Sequence, residues 1–107
     1  MTRPSALGYL RRDIAGIHQT AIEPRMRSAA GNFGYSLIKT LALSDPDTAE
    51  NVLIALVSTL GVPAVLVPSV EHFEGGRPPE PLLSLVDVLV MEPKTKFDRI
   101  KFKQAAS

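Results

Sequence analysis

The chain has 107 residues, enough for one domain with a single layered core, and its 45% hydrophobic and 21% charged residues are typical of a globular protein. It has no cysteine, which excludes a disulfide framework, a thiolate nucleophile and a zinc–thiolate site. The net charge of +1 conceals a separation of sign, because residues 1–34 and 92–107 are mainly basic whereas residues 35–91 are mainly acidic. Such a separation is compatible with a docking face, although solvated charges alone also explain it.

The first third of the chain predicts a strand, a helix and a second strand. Residues 6–10 form a short apolar run that is typical of a buried strand. Thr20 and Glu23 have the spacing of a capping box, and Pro24 would then fall in the first helical turn, where its missing N–H does little harm. Residues 35–43 predict a second strand, whose polar positions favour a place near a sheet edge.

The middle of the chain predicts a helix followed by a fully buried strand. Asp45 is a suitable N-cap, and the apolar residues up to residue 60 recur at steps of three and four. Gly61 stands where a left-handed C-cap is expected. Residues 64–67 are an unbroken apolar run, which fits a strand of a parallel sheet.

A membrane span is the alternative interpretation of this region, because no charged residue lies between Glu50 and Glu71. Gly61 and Pro63 interrupt the stretch near its centre and favour a protein core instead. The amino terminus also lacks the long apolar segment of a secretory signal. We therefore expect a cytoplasmic protein that does not bind a membrane.

The last third predicts a polar loop over residues 69–79, a short helix over residues 80–86 and a strand over residues 87–91. The resulting order βαβαβαβ predicts an α/β fold with three αβα layers and a four-stranded, mostly parallel sheet in the order 2-1-3-4. We assign residues 1–93 to this single domain and residues 94–107 to a basic C-terminal tail.

The tail interleaves basic and apolar side chains, a pattern that suits contact with nucleic acid or with an acidic partner. Its candidate contact residues are Lys94, Lys96, Arg99, Lys101 and Lys103. Alternatively, the apolar residues of the tail pack back on the sheet or fray.

In the predicted strand order, the carboxyl ends of the first and third strands flank the position where open parallel sheets bind ligands. The candidates for binding a small ligand or an anion at this position are Arg11, Arg12, Ser69 and His72. No phosphate-binding glycine motif and no metal-ligand spacing occurs in the sequence, so no cofactor and no metal ion are expected.

Two stretches carry a resemblance to a known family. Gly8-Tyr9-Leu10-Arg11, with a later helix that ends in Gly34-Tyr35, resembles the N-terminal catalytic domain of serine recombinases, the resolvases and invertases. Residues 62–73 are similar to a later strand of that family and to the segment that follows it. The resemblance covers roughly residues 6–76 and implies a resolvase-like α/β fold.

The resemblance also implies that the family's chemistry has been lost. The serine nucleophile of the family would fall on Asp13, its aspartate on Glu71, and two of its arginines on His72 and Gly75. Of the core catalytic set only Arg11 remains, and a carboxylate in place of the nucleophile would repel a phosphate. Arg11, Asp13, Glu71 and His72 are thus expected to be vestigial site positions without catalytic function.

Together these observations predict a non-catalytic resolvase-like domain that acts as a regulatory or accessory interaction module. Its partner would be another protein, a second copy of the chain in a homodimer, or nucleic acid. The alternative is a small-ligand or anion-binding protein, or a minor enzyme, that uses the cleft at the carboxyl ends of strands 1 and 3.

Overall fold

The computed structural model of the protein describes residues 3–15 and 19–100. Its sheet contains, in chain order, β1 (Ser5–Arg11), β2 (Ser36–Leu43), β3 (Ala64–Val67), β4 (Asp87–Val90) and β5 (Thr95–Phe97). The helices are α1 (Arg12–Ala15), α2 (Gln19–Asn32), α3 (Ala49–Leu60) and α4 (Glu80–Leu83). Two 3-10 turns, at Val70–His72 and Glu74–Gly76, lie in the segment between β3 and α4.

The sheet confirms the predicted α/β class and its mostly parallel character, but the predicted count of four strands is wrong. The strand order is β2-β1-β3-β4-β5, with the first four strands parallel and β5 antiparallel to β4. Thr95 and Phe97 are partly buried and Lys96 is exposed, which is the alternation of an edge strand with one covered face. Phe97 packs against the core. The basic side chains of this segment concealed its short strand pattern.

Helices cover the two faces of the sheet, so the fold has three layers. On one face, Leu53 and Val57 of α3 pack with Tyr9 and other side chains of the central strands. On the opposite face, Met26 and Ala30 of α2 pack with a second set of buried strand residues. Within the described residues, no helix has the length and the apolar character needed to cross a membrane.

Two of the predicted helix starts are wrong. Helix α2 begins at Gln19, so Thr20 is not its N-cap and Pro24 lies inside the helix. Helix α3 begins at Ala49, after the N-cap residue Thr48. Asp45 instead closes the turn before this helix, since its Oδ1 accepts the N–H of Asp47 at 2.9 Å. Such local side-chain bonds compete with helix capping for the same residue types.

The opposite end of α3 confirms the sequence prediction. Gly61 adopts a left-handed conformation, with φ of 66°, and its N–H donates to the carbonyl of Val57 at 2.9 Å. Glycine is favoured at this position because a side chain disfavours positive φ. The chain can then turn directly into β3.

Strand β2 contains an irregularity that decides which side chains reach the core. Ala6 of β1 pairs with Leu37, but the next residue of β1 pairs with Lys39, so Ile38 is an extra residue in β2. Leu37 packs on the α2 side of the sheet, whereas Leu41 packs on the α3 side. Without the extra residue, side-chain alternation would place both leucines on the same face.

Candidate functional site

The predicted ligand position at the carboxyl ends of β1 and β3 is bridged by a hydrogen bond. The backbone N–H of Arg11, the last residue of β1, donates to Nδ1 of His72 at 2.9 Å. His72 ends the 3-10 turn that follows β3. Two residues that are 61 positions apart in the sequence are therefore joined at the position where the strand order reverses.

The surroundings of His72 favour its neutral form. Its side chain is among the buried residues, and only 3% of its surface is exposed. Burial lowers the pKa of His72 below its ordinary value of 6.5, and the positive charge of Arg11 lowers it further. Because Nδ1 accepts a hydrogen bond, the single proton of the neutral ring lies on Nε2.

The Arg11 guanidinium is engaged by the carboxylate of Asp13. Its Nε donates to Oδ1 of Asp13 at 3.1 Å, and Nη2 forms an ion pair with Oδ2. The hydrogen bond from Arg11 holds the pKa of Asp13 below its usual value, and the same contact raises the pKa of Arg11. The guanidinium N–H groups of Arg11, which could otherwise bind an external phosphate, are therefore bound to the Asp13 carboxylate.

Tyr9 and Glu50 also belong to this end of the sheet, and no sequence pattern singled them out as site residues. The Tyr9 ring stacks on Phe73 with centroids 5.5 Å apart, and its buried hydroxyl makes no hydrogen bond to any residue that the structure describes. Burial, with a contribution from the charge of Glu50, raises the pKa of Tyr9 to about 12. The Glu50 carboxylate accepts the N–H of Glu74 at 2.6 Å and thereby ties α3 to the loop after β3.

The remaining candidates for an anion site, Ser69 and Arg12, lie in different surroundings. Ser69 and Glu71 line a cavity of about 220 Å³ next to α2, where Arg25 and Glu92 are their charged neighbours. Arg12 is exposed at the first position of α1. The expected cluster is therefore only partly formed: Arg11 is bonded to Asp13 and His72, whereas Ser69 lines the cavity beside α2.

The basic candidates near the end of the chain are largely engaged with the fold. Nζ of Lys94 lies 5.1 Å from the centre of the Phe33 ring, and Nζ of Lys96 lies 3.9 Å from Asp87 and 3.7 Å from Asp98. The fifth strand therefore contains a cation that lies near two carboxylates. Lys101 and Lys103 lie outside the described residues.

Arg99 differs from the two lysines. Its backbone N–H donates to Oδ1 of Asp87 at 2.7 Å, while its side chain lines the two cavities at the opposite end of the sheet. In the part of the chain that the structure describes, no group of three or more histidine and carboxylate side chains comes together to hold a metal ion.

The chemistry available near His72 is limited by these internal bonds. Nδ1 of His72 is occupied by a backbone donor, Arg11 is paired with Asp13, and the Tyr9 hydroxyl is too weak an acid to ionise at neutral pH. A general base needs a free lone pair within reach of its substrate, and an anion site needs a free cation. Nδ1 of His72 therefore offers no free lone pair, and Arg11 offers no free positive charge.

No protein family, no curated protein and no solved structure matches this chain.

Proposed function

We propose that the protein is a non-catalytic α/β interaction domain with a regulatory or accessory role, a relative of the serine recombinase catalytic domain that has lost its active site. The observation that carries this proposal is the closed pair of Arg11 and Asp13 at the carboxyl end of β1. The one arginine that the resemblance retains is neutralised by the residue at the nucleophile position. A site in this state does not clamp a phosphodiester.

The bond between Arg11 and His72 supports the same proposal. It uses the lone pair of Nδ1 to fasten the loop after β3 to the end of β1. A buried and neutral histidine that accepts a backbone N–H stabilises the fold, as structural histidines do. The residues that would perform recombinase chemistry thus hold this end of the sheet together.

Binding of inorganic phosphate tests whether the site is closed. We expect the thermal unfolding midpoint of the wild-type protein to be the same in phosphate and in chloride at equal ionic strength. The variant Asp13→Ala frees the Arg11 guanidinium and should gain a phosphate-dependent rise in the midpoint, because a ligand that binds only the folded state stabilises it. Asp98→Ala removes an equal charge from an exposed side chain at the opposite end of the sheet and should show no such gain.

A phosphate-dependent rise in the wild-type protein would show an open anion site and would contradict the proposal. Incubation with DNA followed by denaturation provides a second readout. The wild-type protein should form no covalent adduct with DNA, and an adduct would show that recombinase-like strand cleavage persists.

One observation favours the second candidate, a protein that binds a small anionic ligand. Arg12 is exposed beside Arg11, and within residues 3–15 and 19–100 no carboxylate lies within 4 Å of its guanidinium. If Arg12 holds a ligand, then Arg12→Ala and His72→Ala should abolish binding of that ligand in folded protein. For an interaction domain, both variants should keep partner binding, and charge reversal at Lys96 or Arg99 should weaken it.

A further inference from the structure

Residues 69–76 form a strap at the carboxyl end of β1. The strap lies between Pro68 and Pro78, which are both buried. Gly75 and Gly76 end the strap with φ of 75° and 71°, and both are exposed. Adjacent glycines can absorb the change in backbone angles that a hinge requires, because no side chain restricts them. The strap thus has two fixed neighbours and a hinge at one end.

The strap has few attachments to the rest of the fold. In the part of the chain that the structure describes, they are two hydrogen bonds: the Arg11 N–H donates to Nδ1 of His72 at 2.9 Å, and the Glu74 N–H donates to the Glu50 carboxylate at 2.6 Å. The backbone–backbone hydrogen bonds of the strap join strap residues to one another. Both attachments therefore depend on a side-chain acceptor that can take up a proton.

Of these two acceptors, only the imidazole ceases to accept when it is protonated. A protonated imidazole is a donor at both nitrogens, so Nδ1 of His72 would then face the Arg11 N–H as a second donor. A protonated carboxyl group at Glu50 would still have an acceptor oxygen. Protonation of His72 thus replaces the first attachment with a repulsive contact.

The charges around His72 come from three elements. Burial and the positive charge of Arg11 in β1 lower the pKa of His72 below 6.5, while Glu71 of the strap and Asp13 of α1 oppose this shift. Glu50 of α3 is a further charge at this end and acts on Arg11. Opening of the strap returns the imidazole to water, where its pKa is ordinary. Uptake of a proton therefore favours the open strap.

The closed strap also buries a polar group without a partner. The Tyr9 and Phe73 side chains are 0% and 2% exposed, and their rings stack with centroids 5.5 Å apart. The Tyr9 hydroxyl has no hydrogen-bond partner among the described residues. A buried unsatisfied hydroxyl raises the free energy of the closed state, and opening would let water satisfy it. The open and closed states are therefore closer in free energy than the packing of the two rings alone would make them.

We propose that residues 69–76 are a pH-gated strap. When His72 is protonated, the strap leaves the carboxyl end of β1 while the sheet stays folded, and the Tyr9 and Phe73 rings become accessible. At neutral pH the imidazole is unprotonated and the strap is closed. This device needs no partner, so it does not rest on the interaction role proposed above.

Amide hydrogen exchange of the full-length protein tests the strap at about pH 7.5 and about pH 5.5, at several low concentrations of urea and with each rate corrected for its intrinsic pH dependence. The N–H groups of Arg11 and Glu74 report on the strap, and that of Leu66, in the central strand β3, reports on global unfolding. We expect Arg11 and Glu74 to exchange faster than Leu66. Their protection should depend little on urea, because local opening exposes little surface.

The pH dependence identifies the group that opens the strap. Protection of the strap amides should fall by up to about tenfold between the two pH values, which is the limit that a pKa of 6.5 in the open state sets. In His72→Asn the change should be less than about twofold, whereas His18→Asn, which removes the only other histidine, should keep the wild-type change.

A second pair of variants tests the unsatisfied hydroxyl. Tyr9→Phe should raise the protection of the strap amides by about fivefold at both pH values, because the closed state no longer buries an unpaired group. Tyr35→Phe is the matched control. Its hydroxyl donates to Asp87, which lies outside the strap, so the variant should leave strap protection unchanged.

Three results would overturn the pH-gated strap: exchange of Arg11 and Glu74 in step with Leu66 at every urea concentration, a change of less than about twofold between the two pH values in the wild-type protein, or the wild-type pH dependence in His72→Asn. None of these results bears on the Arg11–Asp13 pair, which is tested by phosphate binding. A failure of the strap and a failure of the proposed function are therefore distinguishable.

Discussion

The backbone N–H of Arg11 and Nδ1 of His72, 2.9 Å apart, join the last residue of β1 to the turn that follows β3. This hydrogen bond exists only while Nδ1 carries no proton, since a protonated imidazole is a donor at both nitrogens. The bond therefore couples the stability of this end of the sheet to the protonation state of His72.

We expect the free energy of unfolding to fall as the pH drops below 6.5. His72 has a lower pKa in the folded protein than in the unfolded chain, so the unfolded chain binds the proton first as the pH falls. The stabilisation is complete above pH 6.5 and is lost progressively down to the folded pKa, by about 1.4 kcal/mol for each pKa unit of depression. The charge of Arg11 strengthens this effect, whereas Glu71 and Asp13 oppose it.

Urea unfolding of wild-type protein and His72→Asn at a series of pH values from about 7.5 to about 5.5 measures this contribution. Asparagine keeps an acceptor at the δ position but does not titrate, so the free energy of unfolding of this variant should fall much less over this pH range than that of the wild type. His18→Asn removes the only other histidine, and its free energy of unfolding should fall with pH as in the wild type. Parallel curves for the wild-type protein and His72→Asn would refute the role of His72.

Removal of the buried Tyr9 hydroxyl is expected to stabilise the protein. Within residues 3–15 and 19–100 this hydroxyl has no hydrogen-bond partner, although the Tyr9 side chain is fully buried and its ring stacks on Phe73. Removing an unsatisfied hydroxyl abolishes its desolvation cost, so we expect Tyr9→Phe to raise the free energy of unfolding by about 1 kcal/mol. Chemical denaturation at neutral pH measures the change.

Tyr35→Phe is the matched control for Tyr9→Phe. The Tyr35 hydroxyl donates to Oδ2 of Asp87 at 3.2 Å, so the same chemical change should here lower stability by about 1 kcal/mol. A loss of stability in Tyr9→Phe as well would show that a buried water molecule satisfies the Tyr9 hydroxyl in solution.

The fold could be predicted from the sequence where local signals were strong. The apolar run of β3 and the Gly61 stop before it were recognisable because both depend on adjacent residues. Asp45 misled the prediction of the helix start because an aspartate can cap a turn as well as a helix. Strand β5 was missed because three residues carry too little periodicity to be separated from a charged terminal segment.

The site was only partly predictable, since its contacts are long-range. Strand order alone indicated that Arg11 and His72 would approach each other, and they do. That Ser69 would instead line a cavity beside α2 depends on the path of the turn after β3, which the sequence pattern does not specify. Tyr9 could not be recognised as a site residue, because it lies within the apolar run of β1 and a tyrosine in such a run does not differ in pattern from the other buried residues.

Ile38 is the extra residue in β2, and we expect its deletion to affect stability more than replacement of its side chain. Its side chain is 50% exposed, so Ile38→Thr should change stability by less than about 0.5 kcal/mol. Deleting Ile38 would force Leu37 or Leu41 onto the wrong face of the sheet and should cost at least about 2 kcal/mol. Thermal and urea unfolding of both variants test this difference, and equal stabilities would show that β2 adjusts its register freely.

Among the described glycines, Gly8 of β1 is the one at which an added methyl group would meet its neighbours most closely. A Cβ at residue 8 would lie 2.8 Å from Oγ1 of Thr40, 3.1 Å from Cε of Met26 and 3.3 Å from Cα of Thr40. Overpacking of this kind typically costs about 1–3 kcal/mol, and we expect Gly8→Ala to lose stability in that range. The measurement is the free energy of unfolding in urea.

Two comparisons separate crowding at Gly8 from a general effect of replacing glycine. Thr40→Ala removes the closest atom but not Cα, so Gly8→Ala should cost less in that background without becoming neutral. Gly31 lies in α2, where an added Cβ would meet only the flexible end of Arg3 at 3.2 Å, so Gly31→Ala should stabilise the protein by up to about 1 kcal/mol. If Gly8→Ala proved as harmless as Gly31→Ala, then β1 and β2 would not pack as closely as the structure indicates.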